Sequence, residues 1–502
     1  MFKSTKTYLA LVAAAVLLSN CSQNDDTLSS DKNVEEQKSE TTVTFELRTN
    51  TSTMTRSAED SYVHEQGSPE EYKVNNARVY LFDSPTKLLV KSLPLTDIKY
   101  KGSDPSGSGV IIYETGRISV PQGTYDVFVV ANSSRVINKS VEDEFLADID
   151  SATYVQARIE DISNGVLMTN RGSSNLGVVV VNDPNKPTQD NVINVTLERV
   201  LARIDVAKNA NVFELTDEVG TKYASVTLDR CYIVNLPKYF YSFRHVSVQT
   251  SLTPPVWNVN DNFGDIKDVN GFVIDPYFFK KPIDATAFKN ADKYYEYFYG
   301  DYDAKTVPWA SLKSVTAAGP QYLTTYCLEN AMLAPAQKNG YSTGVVFSAI
   351  FEPNDNVYRK GTGDNLVKIT DPSSYPEVLY YYNHNFYNSS DALAIAIHEA
   401  VTPASMEEHQ VKIFEKKEDG NYRCYYTYWI RHLDNNRPTE MGVMEFAIVR
   451  NNLYRLLVTN VSGLGDDTLV PDTDIPDEGE TYLKVVLNVK PWIVRNQTNI
   501  VL

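Results

Sequence analysis

The chain has 502 residues, of which 42% are hydrophobic and 22% are charged, and its formal net charge is −17 at pH 7. This composition argues against wholesale disorder and against a multispan membrane protein. The acidic balance argues against nucleic acid as a partner, because binding to a phosphate backbone depends on clustered Lys and Arg. The 33 Tyr and 19 Phe favour strands over helices.

The N-terminus has the pattern of a secretory signal peptide over residues 1–20. Lys3 and Lys6 precede the apolar run YLALVAAAVLL, which is too short to span a bilayer as a stable helix. The segment LLSNC that follows resembles the bacterial lipobox, although Asn20 departs from the usual small residue. Cys21 would then be lipidated and would hold the precursor at the outer membrane. The alternative is a plain signal peptide followed by an incidental cysteine.

A polar leash and a strand follow the lipidation signal. Residues 22–42 are polar and have few large apolar side chains, which predicts disorder. Three apolar residues then alternate with polar ones: Val43, Phe45 and Leu47. This alternation predicts a half-buried strand, which needs a sheet to lie in. The acidic stretch at 57–73 is expected to be exposed.

The middle of the chain is a series of short β-rich runs separated by Gly, Pro, Asn or Ser turns. The clearest are ARVYLFD at 77–83, GTYDVFVVAN at 123–132, VINVTLERVLARIDV at 192–206, YSTGVVFSAIFEP at 341–353 and NLYRLLVTNVSGL at 452–464. This spacing predicts an all-β protein with two transthyretin-like or Ig-like β-sandwich domains, at 57–210 and 211–465. A few short helices are expected in the insertions, one of them at 391–401.

Three cysteines remain after the lipidation signal. Cys231, Cys327 and Cys424 each lie in a strand-like sequence, and an odd number leaves one thiol over from any disulfide. We expect buried free thiols.

The chain closes with an acidic linker and a strand within residues 466–502. Four apolar residues share one face of this strand: Leu483, Val485, Leu487 and Val489. Trp492 follows them. A strand after a flexible linker is able to pair with a sheet outside its own domain.

Motifs for catalysis or metal binding are missing from the sequence. A zinc-protease helix would need a second His four residues after His398, where Thr402 stands. The sequence has no phosphate-binding loop, Rossmann glycine fingerprint or nucleophile elbow, so we expect no enzyme activity, metal or cofactor. Two tyrosine-rich clusters, at 293–303 and 379–388, could form platforms for sugars, but half-buried strands are the preferred interpretation.

Three stretches together resemble the fimbrillin family of Bacteroidales. They are GTYDVFVVAN, ERVLARIDV and the C-terminal VRNNLYRLLVTNVSGLG followed by LKVVLNVKPWIVRNQTNIVL. The resemblance is strongest to the shaft subunit of the short (minor) fimbriae of Porphyromonas. It runs in order from the lipobox to the C-terminus and is loose between residues 237 and 410.

The resemblance implies a type V pilus subunit that is exported as a lipoprotein and then cut by an arginine-specific protease. Cleavage between Arg56 and Ser57 would remove the leader strand, and the C-terminal strand of another subunit would fill the groove left behind. Arg48 is the alternative cleavage position, but it lies within the strand itself. The expected partners are further copies of the chain, anchor and tip subunits, and a ligand on a host or bacterial surface.

Other roles remain open at this point. An anchor subunit would keep its lipid and leader, and a tip subunit would accept a strand without donating one. Outside the family, a monomeric surface lipoprotein could bind glycans through the tyrosine clusters.

Overall fold

A computed structural model describes most of the chain from Glu40 onward. The described residues are 40–49, 63–64, 67–105, 110–146, 149–150, 161–170, 175–181, 191–244, 273, 275–277, 294–296, 309–316, 319–332, 336, 341–432, 444–469, 483–491 and 493–494. Four of the expected site residues lie outside this part of the chain: Cys21, Arg56, Ser57 and Trp492.

Strands dominate the structure, which confirms the all-β prediction. The first twelve are β1 (Glu40–Thr49), β2 (Val63–His64), β3 (Ala77–Asp83), β4 (Leu89–Leu95), β5 (Lys99–Ser103), β6 (Ile111–Glu114), β7 (Ile118–Pro121), β8 (Gly123–Ala131), β9 (Ile149–Asp150), β10 (Met168–Asn170), β11 (Val178–Val180) and β12 (Asn191–Arg199). The next ten are β13 (Ala202–Lys208), β14 (Phe213–Thr216), β15 (Lys222–Val234), β16 (Leu236–Pro237), β17 (Phe240–Tyr241), β18 (Tyr295–Glu296), β19 (Ala310–Ser311), β20 (Val315–Thr316), β21 (Gly319–Pro320) and β22 (Leu323–Cys327). The last ten are β23 (Gly344–Pro353), β24 (Val357–Lys360), β25 (Leu366–Ile369), β26 (Val378–Tyr382), β27 (Asn385–Tyr387), β28 (Lys412–Glu415), β29 (Tyr422–Trp429), β30 (Asn452–Val461), β31 (Leu483–Pro491) and β32 (Ile493–Val494).

The helices of the described residues are few and short: α1 (Pro69–Tyr72), α2 (Glu142–Leu146), α3 (Ser390–Ile397), α4 (Pro403–Glu408) and a 3₁₀ turn (Pro372–Ser374). The helix predicted at 391–401 is α3, which ends where His398 takes a left-handed conformation with φ of 61°. Pro403 begins the next helix, where Thr402 caps the first turn. Within the described part of the chain, no helix has the length and apolar character needed to cross a membrane.

A ten-stranded sheet contains the strands before residue 200 except β2 and β9, which pair with β32 and β17. Its order is β4-β3-β8-β10-β12-β1-β6-β5, with β11 paired to β8 and β7 paired to β1. The inward side chains of β1, β3, β6, β7, β8 and β12 form one core. The other face of β3 and β8 packs under α2, where Phe82 and Phe128 contact Phe145. Burial on both faces explains why β3 and β8 are continuous apolar runs in the sequence.

The chain leaves this sheet at Val200 and Leu201, between β12 and β13. β13 belongs to a four-stranded sheet of order β22-β13-β30-β31, and a five-stranded sheet has the order β14-β15-β23-β29 with β19 beside β15. Side chains from both sheets share one core, to which Ile204 and Leu456 contribute from the first and Phe347 and Cys424 from the second.

An inserted unit lies between β23 and β29. Its five strands have the order β25-β24-β27-β26-β28, and α3 packs on one face of this sheet through Ala392, Leu393 and Ile397. Phe386 and Phe414 on the other face join the second core. The insertion is therefore anchored to the body of the protein by aromatic side chains.

Candidate functional site

Strand β1 occupies an interior position in the ten-stranded sheet. It pairs parallel with β12 from Val43, opposite Asn191, to Arg48, opposite Thr196. Its other edge pairs antiparallel with β7 over the first half and with β6 over the second half. Both edges of β1 are paired. The strand therefore lies between β12 on one side and β6 and β7 on the other, and it connects them into one sheet.

The apolar face of β1 lies in the core of the sheet. The exposed fractions of Val43, Phe45 and Leu47 are 1%, 0% and 0%. Burying a side chain of this size contributes about 1.5 to 3 kcal/mol, so the three together contribute roughly 5 to 9 kcal/mol. The strand is therefore an integral part of this core in the uncleaved chain.

Polar contacts fix the register of β1 where its partner changes from β7 to β6. The Phe45 N–H donates to Thr115 Oγ1 at 3.0 Å, and the Thr115 N–H donates to the Phe45 carbonyl oxygen at 3.1 Å. On the other edge, the Asn191 side-chain amide donates to the carbonyl oxygens of Thr42 and Val181, at 3.2 and 3.1 Å. These bonds hold the middle and the start of the strand in place.

The outward face of β1 carries charged pairs. Glu46 accepts a hydrogen bond from Lys101, which lowers the pKa of the Glu46 carboxyl. Arg48 lies 3.4 Å from Glu46 and 3.5 Å from Asp104, and 33% of its side chain is exposed. Such partly exposed pairs contribute little to stability, but the Arg48 backbone is paired along both edges of the strand.

The C-terminal strand β31 pairs with β30 of the same chain, at the edge of the four-stranded sheet. The pairing is antiparallel and runs from Leu483, opposite Val461, to Pro491, opposite Asn452. The other positions expected on the apolar face of this strand, Val485, Leu487 and Val489, lie within this register. A strand that was expected to be able to pair outside its own domain thus has a partner inside its own chain.

The segment after β1 also contacts the C-terminal strand. Val63 pairs with Val494 and His64 pairs with Ile493, so β2 and β32 form a short antiparallel pair. Beyond β2, the chain enters α1.

Glu71 is a buried carboxylate that connects α1 to the four-stranded sheet. It is 1% exposed and accepts hydrogen bonds from Arg203 Nη1 at 3.0 Å, from the Tyr326 hydroxyl at 2.7 Å and from the Ser68 N–H at 2.8 Å. The Glu71 carbonyl oxygen accepts from Arg199 Nε at 2.6 Å. A carboxylate with this many donors is stable in the interior.

The expectation of an exposed acidic stretch at 57–73 is therefore wrong for Glu71. The pattern Ser68-Pro-Glu-Glu71 is a capping-box signal, and it would have marked the start of α1. It would not have shown the burial, because Arg203 and Tyr326 come from β13 and β22. Burial also lowers the pKa of Arg199 to about 10 and raises that of Tyr326.

Cys231, Cys327 and Cys424 are buried thiols that form no disulfide among the described residues, as expected from the sequence. Burial raises the pKa of Cys231 to about 12 and that of Cys424 to about 11. Buried thiols with raised pKa values are poor nucleophiles and poor metal ligands. Among the described residues, no three His, Cys, Asp or Glu side chains are grouped to hold a metal ion.

The tyrosine cluster at 379–388 packs within the inserted unit. Tyr387 is 5% exposed and lies in the cluster formed with α3, and Tyr380 and Tyr382 pack against the same cluster. From the other cluster, at 293–303, the structure describes residues 294–296, in which Tyr295 is buried and hydrogen bonds to Asn330 at 3.1 Å. The tyrosines named here contribute to packing.

Two sequence-family models match the chain. The one described as "Major fimbrial subunit protein (FimA)" matches residues 40–213. The one described as "Major fimbrial subunit protein type IV, Fimbrillin, C-terminal" matches residues 420–498. The first match includes β1 and the strands of the ten-stranded sheet, and the second includes β29, β30 and β31. Among curated proteins, no sequence matches this chain.

Solved structures of fimbrial proteins are similar to this one at low sequence identity. A fimbrilin of Porphyromonas gingivalis is 15% identical, with a TM-score of 0.42 over 91% of this chain and 99% of that chain. The tip fimbrial protein of Porphyromonas gingivalis with a C-terminal truncation is 13% identical, with a TM-score of 0.38 over 90% of this chain and 100% of that chain.

Proposed function

Because the chain belongs to the fimbrillin family of fimbrial subunits, we propose that it forms the shaft of a cell-surface fimbrium, a type V pilus, by donor-strand exchange. In this proposal the precursor is exported as a lipoprotein through Cys21. Cleavage between Arg56 and Ser57 then removes β1, and the C-terminal strand of a second copy takes its place. Anchor and tip subunits would complete the fimbrium, and a ligand on a host or bacterial surface would be bound by the assembly.

The observation that carries this proposal is the interior position of β1. The strand is paired on both edges and its apolar side chains are in the core. Its covalent connection to the strands that follow runs through residues 50–62. A cut in that segment leaves β1 without a covalent tether, and its effective concentration at the groove falls. An incoming strand with alternating apolar residues offers the same hydrogen bonds and the same burial.

Cleavage at Arg56 is favoured over cleavage at Arg48. A protease needs an accessible, extended substrate, and such segments are most often exposed loops. Arg48 is paired to Thr196 on one side and to Ile112 on the other, so cleavage there would require β1 to leave the sheet first.

The donor would be β31, whose residues Leu483, Val485, Leu487 and Val489 alternate as Val43, Phe45 and Leu47 do. Because β31 pairs with β30 in the single chain, donation requires it to leave an edge position, which costs one row of ladder bonds. Donor and groove are different surfaces, so the contact is heterologous and propagates as an open filament.

The decisive experiment compares Arg56→Ala with Arg48→Ala in the full-length precursor. N-terminal sequencing of the surface protein should find Ser57 as the first residue in wild type and in Arg48→Ala, within SDS-resistant ladders. Arg56→Ala should give uncleaved monomers. Filaments built from uncleaved Arg56→Ala chains would refute the proposal.

A second variant tests the donor strand. Deletion of residues 482–502 should leave export and cleavage intact and abolish polymers. When mixed with wild-type chains, the truncated chain should form an SDS-resistant contact only at the end of a filament. That result would show that its groove accepts a strand although it has no strand to donate. Normal filaments from the truncated chain would exclude donation by the C-terminus. Intact lipidated monomers that bind glycan would favour the monomeric lipoprotein instead.

A further inference from the structure

The end of the C-terminal strand is paired with the segment that follows the cleavage position. β32 is the last described strand, and its only partner among the described strands is β2. We propose that β2 is a latch that retains the donor strand in the uncleaved precursor, so that one cut both opens the groove and releases the donor. This inference rests on the proposed function and adds to it a mechanism that prevents strand donation before cleavage.

The latch is fixed from both sides along the chain. Upstream, β1 is held in the ten-stranded sheet by pairing on both edges. Downstream, Glu71 is hydrogen bonded to Arg203 on β13 and to Tyr326 on β22. These two strands belong to the same four-stranded sheet that carries β31 at its edge. β2 is therefore held close to the strand that it pairs with.

The strand that is retained has few other contacts along its edges. β31 pairs along one edge with β30, and no other described strand pairs with it. Its continuation β32 lies beside β30 and pairs with β2. The ends of an edge strand open first, and β32, which follows the Pro491 end of β31, is the part that β2 contacts. Retaining Ile493 and Val494 thus opposes the first step of strand release.

Cleavage after Arg56 would weaken the pairing of β2 with β32 although the cut lies outside both strands. A pair of two residues is weak by itself, and its occupancy depends on the high effective concentration set by the two flanking anchors. A cut after Arg56 lies between β1 and β2, so β2 becomes part of a free N-terminal end that begins at Ser57, six residues before Val63. Chain ends are poorly ordered unless they are tied down, and the release of β2 then allows β32 and β31 to leave.

The test separates donation from acceptance by mixing two kinds of chain. The acceptor is the cleaved chain that lacks residues 482–502, which has a groove and no donor strand. Three chains that keep residues 482–502 are offered as donors: the cleaved chain, the uncleaved Arg56→Ala chain, and the uncleaved Arg56→Ala chain with Val63→Pro and His64→Pro, which removes the N–H donors of β2. The readout is the rate at which an SDS-resistant complex of one donor and one acceptor forms.

The cleaved donor should form the complex, and the uncleaved Arg56→Ala donor should form it at least about tenfold more slowly. The proline variant should recover most of the rate although its own groove is still filled by β1. Equal rates for cleaved and uncleaved donors would overturn the latch, and so would a proline variant that is as slow as its parent. A cleaved donor that forms no complex would instead refute the proposed strand exchange, which keeps the two failures distinct.

Discussion

A leucine on β1 and a leucine on β12 allow a matched test of the idea that β1 is temporary. Leu47 is 0% exposed and Leu197 is 1% exposed, and both belong to the same core. Truncating a buried leucine to alanine costs about 2 to 5 kcal/mol, from lost transfer free energy and from the cavity left behind. In the uncleaved precursor, Leu47→Ala and Leu197→Ala should therefore lower the free energy of opening by similar amounts.

The two variants should differ once filaments have formed. Because the proposed cleavage removes β1 before the filament forms, Leu47→Ala should leave the filament as stable as wild type, whereas Leu197→Ala should still weaken it. The measurement is hydrogen exchange of the β12 amides, at 191–199, in precursors and in filaments, since local protection reports local opening in a chain too large for a single unfolding transition. The reasoning is refuted if Leu47→Ala weakens the filament, or if it leaves protection in the precursor unchanged.

Three further outcomes follow from the buried polar groups and thiols. Glu71→Ala should lower the free energy of opening of the β13 amides, measured by hydrogen exchange in the precursor, by about 3 to 5 kcal/mol because its buried partners lose their carboxylate, while Glu70→Ala on the same helix, an exposed position, should have little effect. Cys231 and Cys424 should resist maleimide in the folded chain at pH 8 and react after denaturation, and fast labelling of the native chain would contradict their burial. Stability should also fall at alkaline pH: the folded-state pKa values are about 12 and 11, whereas thiols in an unfolded chain ionise near about 8.5. The unfolded state binds fewer protons above that pH, so the contribution is complete below it and is lost as the pH rises through the folded values. A Cys231→Ala and Cys424→Ala double variant should flatten this part of the pH profile.

Several strands could be predicted from the sequence because their patterns are local. The run ARVYLFD corresponds to β3 and the run GTYDVFVVAN to β8, within one residue at the end. The alternation of Val43, Phe45 and Leu47 indicated a strand, and the structure buries all three side chains. In each case the residues that form the strand also carry the signal for it.

Features that depend on distant residues could not be predicted in this way. The sequence at 192–206 is one uninterrupted β-rich run, but the structure divides it between two sheets at Val200 and Leu201. Neither residue is Gly or Pro, and both are buried, so the change of sheet has no local signal. The pairing of β31 with β30 and the burial of Glu71 likewise depend on partners elsewhere in the chain.

The parallel pairing of β1 with β12 has a consequence for the order of folding. Thr41 and Asn191, which meet at the start of this pair, are 150 residues apart along the chain. Closing a loop of that length costs about 4 kcal/mol in chain entropy by the logarithmic dependence on length alone, and contacts of such high sequence separation form late and slowly. The ten-stranded sheet therefore becomes continuous only after β12 has been synthesised. A chain expressed from Ser57 onward lacks β1, so the edges of β12, β6 and β7 that pair with it are left open, and we expect this chain to aggregate more readily than the precursor. Under the proposed cleavage, the leader strand would thus cover these edges in the precursor of a molecule that no longer contains it when mature.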